Sequence, residues 1–318
     1  EFVRNLIALK QLQPPLLAGS HWPWHVHVRM LGGFRLEIEG KRYRPTHKAQ
    51  DKPLELLKLL VTCEVLGRRS AEKTWIAERL WPDAELDNAR KSLDMTIARL
   101  RNLLQREDTV ISVEGRLELQ DNLVWTDVRP LLNALSHTRV RRDEHIAGKG
   151  VARAEAAASI TGLLEHYSGP FLAGEEGPPW LLAGREAITA AVRQTLVTAD
   201  TILNGSADEL LIPAMEKALT ADPTSEDLAR ALMRAYLRRG HNSEALRVYR
   251  RLREMLSVLL GVAPSKESEH IRDQAYVSSS AAERVKSTAV SQPQPEETSY
   301  ADHKPTATRK VHGRTSRN

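Results

Sequence analysis

Asp87-Asn-Ala-Arg-Lys-Ser-Leu-Asp-Met-Thr-Ile-Ala-Arg-Leu-Arg-Asn-Leu-Leu104 holds neither proline nor glycine, so nothing inside it breaks a helix. Asp87 or Asn88 can cap its start, because a short side-chain oxygen satisfies the free backbone N–H groups there. Ala89, Leu93, Ile97, Leu100 and Leu104 recur at helical spacing and fall on one stripe. At about 100° per residue the opposite face carries Lys91, Met95, Ala98 and Asn102, with Arg90, Asp94, Arg99 and Arg101 on the flanks. One side is apolar and the other is polar and cationic. Such a helix packs on a small domain and turns its far face either to a DNA groove or to solvent.

Its surroundings narrow the choice. Upstream lies Ser70-Ala-Glu-Lys-Thr-Trp-Ile-Ala-Glu-Arg-Leu-Trp-Pro-Asp83, in which Trp75, Ile76, Leu80 and Trp81 share helical spacing and read as core rather than base-stacking groups. Downstream, Thr109-Val-Ile-Ser-Val-Glu-Gly-Arg-Leu-Glu-Leu-Gln120 alternates about a Glu114-Gly115 turn. Helix, loop, basic helix, hairpin is the order of a winged helix-turn-helix. Earlier, residues 25–45 alternate and are cut by Gly32-Gly33 and Gly40, as in a short antiparallel sheet. Pro53 to Cys63 reads as a first helix, with proline near its start where a missing N–H costs nothing.

The 318 residues suggest roughly two domains. The net charge of +5 is a weak guide to partners. From Ser278 onward seven Lys/Arg face four Asp/Glu, so +3 of the +5 lies in the tail, and residues 1–127 hold twenty against eighteen. Local clustering therefore has to carry any nucleic-acid argument. Residues 88–106 supply it, with five Arg/Lys and one Asp. Cys63 is the only cysteine, which excludes intramolecular disulfides and cysteine-cluster zinc sites and fits a reducing cytoplasm. It sits on an apolar helix, as packing. No apolar run reaches the about 18 residues of a membrane span, and no signal peptide is expected. The chain opens on Glu1-Phe2 in what reads as mid-helix, as though excised from something longer.

The second half is helical. Residues 128–166 are interrupted near 139–150, and a Gly/Pro-rich loop runs from Tyr167 to Trp180. A long helix spans about Leu181–Leu203, and helical pairs follow at Glu209–Thr220, Ser225–Arg239 and Asn242–Leu260. Tyr236, Gly240, Ala245 and Tyr249 have the small/large spacing of a tetratricopeptide repeat, with Asp222-Pro223 closing the preceding unit. Such pairs bury their apolar faces only by stacking. The expected division is a linker over 1–24 that docks Trp22 and Trp24, a winged helix over 25–127, a repeat domain over 128–277 and a disordered tail over 278–318. The fold class is mainly α with a small β component.

These motifs together resemble a known family. Leu31-Gly-Gly-Phe34 with Gly40, and Leu80-Trp-Pro-Asp83 followed by Leu93, Ile97, Leu100 and Arg101, resemble the OmpR-type winged helix of bacterial transcriptional activators of the antibiotic-regulatory kind. Tyr167, Gly169-Pro-Phe-Leu172, Trp180 and Arg185-Glu186 resemble the opening of the bacterial transcriptional activator domain. Gly240-His-Asn-Ser-Glu-Ala-Leu-Arg-Val-Tyr249 and Leu260-Gly-Val-Ala-Pro-Ser265 resemble its closing repeats. Lys48-Ala-Gln-Asp-Lys-Pro-Leu-Glu-Leu-Leu-Lys58 looks like members at the C-terminus of large ATPase-linked regulators. The resemblance implies sequence-specific binding to double-stranded DNA, transcription activation, a homodimer or partner contact through the helical repeats, and RNA polymerase as a further partner. The wing departs from the family pattern: its return strand, Arg116-Leu-Glu-Leu, lacks the usual aromatic, and Glu114 and Glu118 place acid near any phosphate.

By family position, Lys91, Asp94, Met95, Thr96, Arg99 and Asn102 face bases or nearby phosphate, since Arg to guanine and Asn to adenine are the favoured pairings. Arg68, Arg69, Lys73, Arg90 and Arg116 are phosphate candidates, and Arg101 either joins them or braces the fold. An enzyme is not expected: the chain has no G-x-x-x-x-G-K-[ST] and no G-x-S-x-G. His21, His25 and His27 have no carboxylate or cysteine nearby to complete a metal set, so neither cofactor nor metal is expected. The alternative function is a repeat-type protein-interaction scaffold whose winged helix does not read DNA.

Overall fold

The computed structural model describes residues 19–44, 51–144 and 149–290, with Lys10, Leu12 and Pro14. Strands β1 (Val26–Arg29), β2 (Arg35–Ile38) and β3 (Lys41–Arg42) form an antiparallel run. The β2–β3 turn is Glu39-Gly40, with φ of 50° and 75°, the two-residue geometry whose twist matches the flanking strands. Helix α1 (Asp51–Val65) follows, then β4 (Ala71–Glu72), α2 (Lys73–Leu80) and α3 (Leu86–Leu103). Strands β5 (Val110–Val113) and β6 (Arg116–Leu119) make the wing and close on Glu114-Gly115 in the same left-handed pair, φ 50° and 76°. Strand β7 (Val124–Thr126) returns parallel to β1. One sheet runs β3-β2-β1-β7 and the other β4-β6-β5.

The rest of the described chain is helical: α4 (Val128–Glu144), α5 (Lys149–His166), α6 (Pro179–Leu203), α7 (Asp208–Ala221), α8 (Glu226–Arg238), α9 (Asn242–Met255), a wider turn over Leu256–Leu260, and α10 (Lys266–Val290). Helices α4 and α5, α7 and α8, and α9 and α10 pack as neighbours, with α6 against α5 and α7. Tyr236, Ala245 and Tyr249 are buried where the repeat spacing places them, and Gly240 takes a φ of 74° at the turn. Fold class and element order match the sequence expectation. Helix α10 runs to Val290, however, whereas disorder is expected from Ser278. Ser278 to Val290 contains no proline or glycine, so the helix propagates through it; residues 291–318 lie outside the described residues.

No break in the core separates the two halves. One buried cluster runs from Val26 through Leu57, Leu100, Phe171 and Leu196 to Ala275. Helix α1 is apolar on nearly all sides, with Leu54, Leu56, Leu57, Leu59, Leu60 and Val61 buried, because α2 and α3 cover one side and α4 and α6 another. Cys63 is among them, and burial pushes its thiol up to about 11, which leaves it unreactive.

Two motifs far apart in sequence meet at the junction. Leu31 bridges to Phe171, Gly32 N–H donates to Pro170 O (3.0 Å), and Leu172 N–H donates to Met30 O (2.7 Å). Gly32 has a φ of +74°, and a Cβ there would lie 3.2 Å from Ser168 O, so only glycine fits without strain. The Arg185 guanidinium donates to the carbonyls of Phe171 (3.0 Å), Leu172 (2.7 Å) and Glu175 (2.9 Å). Lys58 of α1 reaches the Glu175 carboxylate at 2.6 Å. At Gly184, α6 comes so close to α1 that a Cβ would sit 2.8 Å from Thr62 Cγ2.

Asp127 ties the same junction from below. It is 5% exposed and accepts N–H from Met30 (2.9 and 3.0 Å to its two oxygens) and Leu31 (3.0 Å). Burial pushes its carboxyl up to about 6, against the opposing pull of those N–H groups and of Arg29. The folded chain therefore holds this proton more tightly than the unfolded chain does. The stabilisation is complete below the ordinary carboxylate range and is lost as pH rises from about 4 through about 6. The loss is on the order of 3 kcal/mol. Urea unfolding across pH 4–7 should show wild type losing about that much more than Asp127→Asn; parallel pH profiles would rule the effect out.

At the N-terminal side, Trp24 docks as expected: it is buried and its Nε1 donates to Gly19 O at 3.1 Å. Trp22 is only partly covered. The remainder of the expected linker lies largely outside the described residues.

Candidate nucleic-acid interface

Helix α3 is seated by the predicted stripe. Ala89, Leu93, Ile97 and Leu100 are at most 4% exposed, packed toward α1 and α2. The helix begins at Leu86 behind Glu85, with no side-chain cap, so neither Asp87 nor Asn88 is the cap. Both lie in the first turn, where Asp87 still favours the positive end of the helix dipole. Trp75 and Trp81 of the preceding segment pack against the core, as expected of them. Their outer faces carry cations: Arg68 and Arg79 lie over Trp75, at 5.3 and 3.7 Å, and Lys52 over Trp81 at 5.5 Å.

The outer face of α3 is open. Lys91, Asp94, Met95, Arg99 and Asn102 are all exposed, with Met95 at 56%, and they lie within about three turns of one helix. Thr96 does not join them. It is 3% exposed, and its hydroxyl donates to Ser92 O at 2.8 Å, which satisfies it inside the core. Its helical angle already puts it beside the buried stripe, so Thr96 is removed from the base-reading set.

The cations sort into free and committed groups. Lys91 and Arg99 make no hydrogen bond or ion pair among the described residues. Lys73 holds Asp94 at 3.0 Å, and Arg90 donates to Thr74 Oγ1 at 3.2 Å. Arg101 braces the fold: its Nε and Nη2 donate to Val110 O at 3.0 and 2.8 Å, fixing the wing to the helix end. Arg116 donates to Ser70 Oγ (2.9 Å), Ser70 O (2.8 Å) and Glu72 Oε1 (3.1 Å), which pins β6 to β4. Arg69 pairs with Asp121. Arg101 and Arg116 are thus structural in their first duty, Arg69 sits in an exposed ion pair, and Arg68 is stacked on Trp75. Sequence inspection missed the partners Ser70, Thr74 and Asp121, which carry no motif of their own.

The other sequence candidates for special chemistry are also accounted for. His25 Nε2 donates to Leu104 O at 2.8 Å and His27 Nε2 to Ser20 O at 3.1 Å. Contrary to the sequence expectation a carboxylate does lie nearby, because the β2–β3 turn brings Glu39 to 3.5 Å from His25 Nδ1. No group of three or more His, Cys, Asp or Glu suited to a metal occurs among the described residues. No described helix is long and apolar enough to cross a membrane.

A helix-turn-helix with a wing is thus fused through a common core to stacked helical pairs. Residues 133–274, from within α4 into α10, match the family model of the bacterial transcriptional activator domain. Among solved structures it is similar to Mycobacterium tuberculosis EmbR in complex with a low-affinity phosphopeptide, at 18% identity and a TM-score of 0.55, covering 84% of this chain and 70% of that one. At that identity the likeness is one of fold. No curated protein matches the sequence.

Proposed function

We propose that this chain is a sequence-specific activator of transcription that reads double-stranded DNA with α3 in the major groove. The observation that supports this best is the outer face of α3, which is solvent-exposed, polar and cationic, with Lys91 and Arg99 uncommitted. Lys91, Asp94, Met95, Arg99 and Asn102 are the residues offered to base edges. Lys73 and Arg90 flank them as phosphate contacts, which orient the protein without reading sequence. The wing contributes shape more than charge, because Arg116 is held by Ser70 and Glu72 and the tip carries exposed Glu114. The linker, winged-helix and repeat-domain division is retained as an organisational proposal, with the change of architecture at Asp127–Val128.

The helical half supplies the subunit or partner contact, RNA polymerase among the partners that the family implies. Val258, Leu259 and Leu260 at its closing turn are 58–71% exposed, an apolar surface suited to such a contact. The scaffold alternative would use the same surface without DNA. Selection of bound oligonucleotides from a random duplex pool separates the two. A recovered consensus whose affinity falls steeply with salt is the expected outcome; failure to enrich any sequence would leave the scaffold. A DNA-reading role places the protein in the cytoplasm.

A further inference from the structure

Helices α7, α8 and α9 line a half-open pocket of about 330 Å³ that does not involve the outer face of α3. Its walls are apolar, formed chiefly by Leu219, Leu232 and Leu252, and small Ala229 leaves the space open on the α8 side. Two arginines, Arg247 and Arg251, stand at its rim one helical turn apart on α9. The lining also carries one acid, Glu216, whose Oε1 accepts the Tyr236 hydroxyl at 2.5 Å and whose single negative charge the two arginines outnumber. The Thr220 hydroxyl is spent on Glu216 O, at 3.1 Å. Arg247 and Arg251 have neither a hydrogen bond nor a salt bridge among the described residues.

We infer that this pocket binds a small amphipathic carboxylate, its apolar body on the leucine walls and its carboxylate across Arg247 and Arg251. A pocket of this size falls within the range of small-molecule sites, where a few placed polar groups fix orientation. Guanidinium donors favour a planar carboxylate and can bond it twice, which a neutral alcohol cannot match. A macromolecular ligand is the less favoured occupant, since the apolar surface here is a recess between three helices rather than a long groove. The inference is independent of whether α3 reads DNA.

The test is calorimetric titration of the full chain with hexanoate, octanoate and decanoate below their micelle-forming concentrations. One-to-one saturable binding is expected, tightening by about fourfold for each methylene added within the pocket. Octanol and octylamine should bind at least tenfold more weakly than octanoate. Arg247→Gln with Arg251→Gln, both on the surface, should weaken octanoate at least tenfold and leave the unfolding midpoint in place. Absence of saturable binding, or equal binding by the double variant, overturns the inference. Binding of a short acidic leucine-bearing peptide in place of the acids would also overturn it and make the pocket a peptide site.

Discussion

Arg238→Met should cost the fold about 3–5 kcal/mol, the penalty for stranding buried charge. Arg238 ends α8 and clamps two helices that precede it. Its Nη2 donates to Asp200 Oδ1 at 2.5 Å, on the last turn of α6, and to Asp208 Oδ1 at 2.6 Å, the first residue of α7; its Nε donates to Asp208 Oδ2 at 3.0 Å. Asp200 and Asp208 are 6% and 5% exposed. Without the guanidinium, two neighbouring carboxylates stay buried with no counter-charge, and like charges disfavour each other's ionised form. Denaturant unfolding at pH 7 measures the loss. Arg238→Lys should fall between, since an ammonium lacks the planar fork that serves both acids. Combining Arg238→Met with Asp200→Asn and Asp208→Asn should recover much of the stability, because the stranded charge is gone. A loss below about 1 kcal/mol for Arg238→Met would place the cluster in the range of an exposed ion pair instead.

That cluster also shows where a single sequence stops being informative. Arg238 reads as one more surface arginine at the end of an amphipathic helix, and its partners lie 38 and 30 residues away. The periodic features were legible because their cause is local. The stripe of α3, the Glu-Gly turns of both hairpins and the Tyr236–Tyr249 spacing follow from geometry within a few residues. The junction was not. Leu31-Gly-Gly-Phe34 and Tyr167 to Leu172 were each visible as motifs, yet nothing in either names the other as its partner. Their union rests on backbone hydrogen bonds and on the close approach of glycines, neither of which has a side-chain signature. Similarly, the apolar run of α1 announces burial on all sides but not which helices provide it. In the candidate interface, exposure of Lys91, Arg99 and Asn102 followed from helical angle. The diversion of Arg101 and Arg116 into the wing depended on tertiary neighbours at Val110 and Ser70.

Arg99→Ala should reduce discrimination between the selected site and a shuffled duplex by about 1–3 kcal/mol, roughly five- to 150-fold, while leaving affinity for shuffled DNA nearly unchanged. Arg99 suits this role because it is exposed, unpaired among the described residues and on the same face as Asn102 and Met95. Lys73→Ala should behave differently. A phosphate contact carries no sequence information, so all duplexes should weaken alike, and the slope of log affinity against log salt should flatten by about one. Its pairing with Asp94 at 3.0 Å adds a second effect. Removing Lys73 leaves the exposed Asp94 carboxylate without its counter-charge in the field of the DNA, so the weakening should exceed that of a lone contact, and adding Asp94→Asn should return part of it. Competition gel shifts over a salt series read both quantities at once. If Arg99→Ala and Lys91→Ala each leave specific and shuffled binding untouched, the outer face of α3 does not enter the groove. The exposed cations there would then be an ordinary solvated surface, and whatever regulation the chain performs would have to run through its helical half.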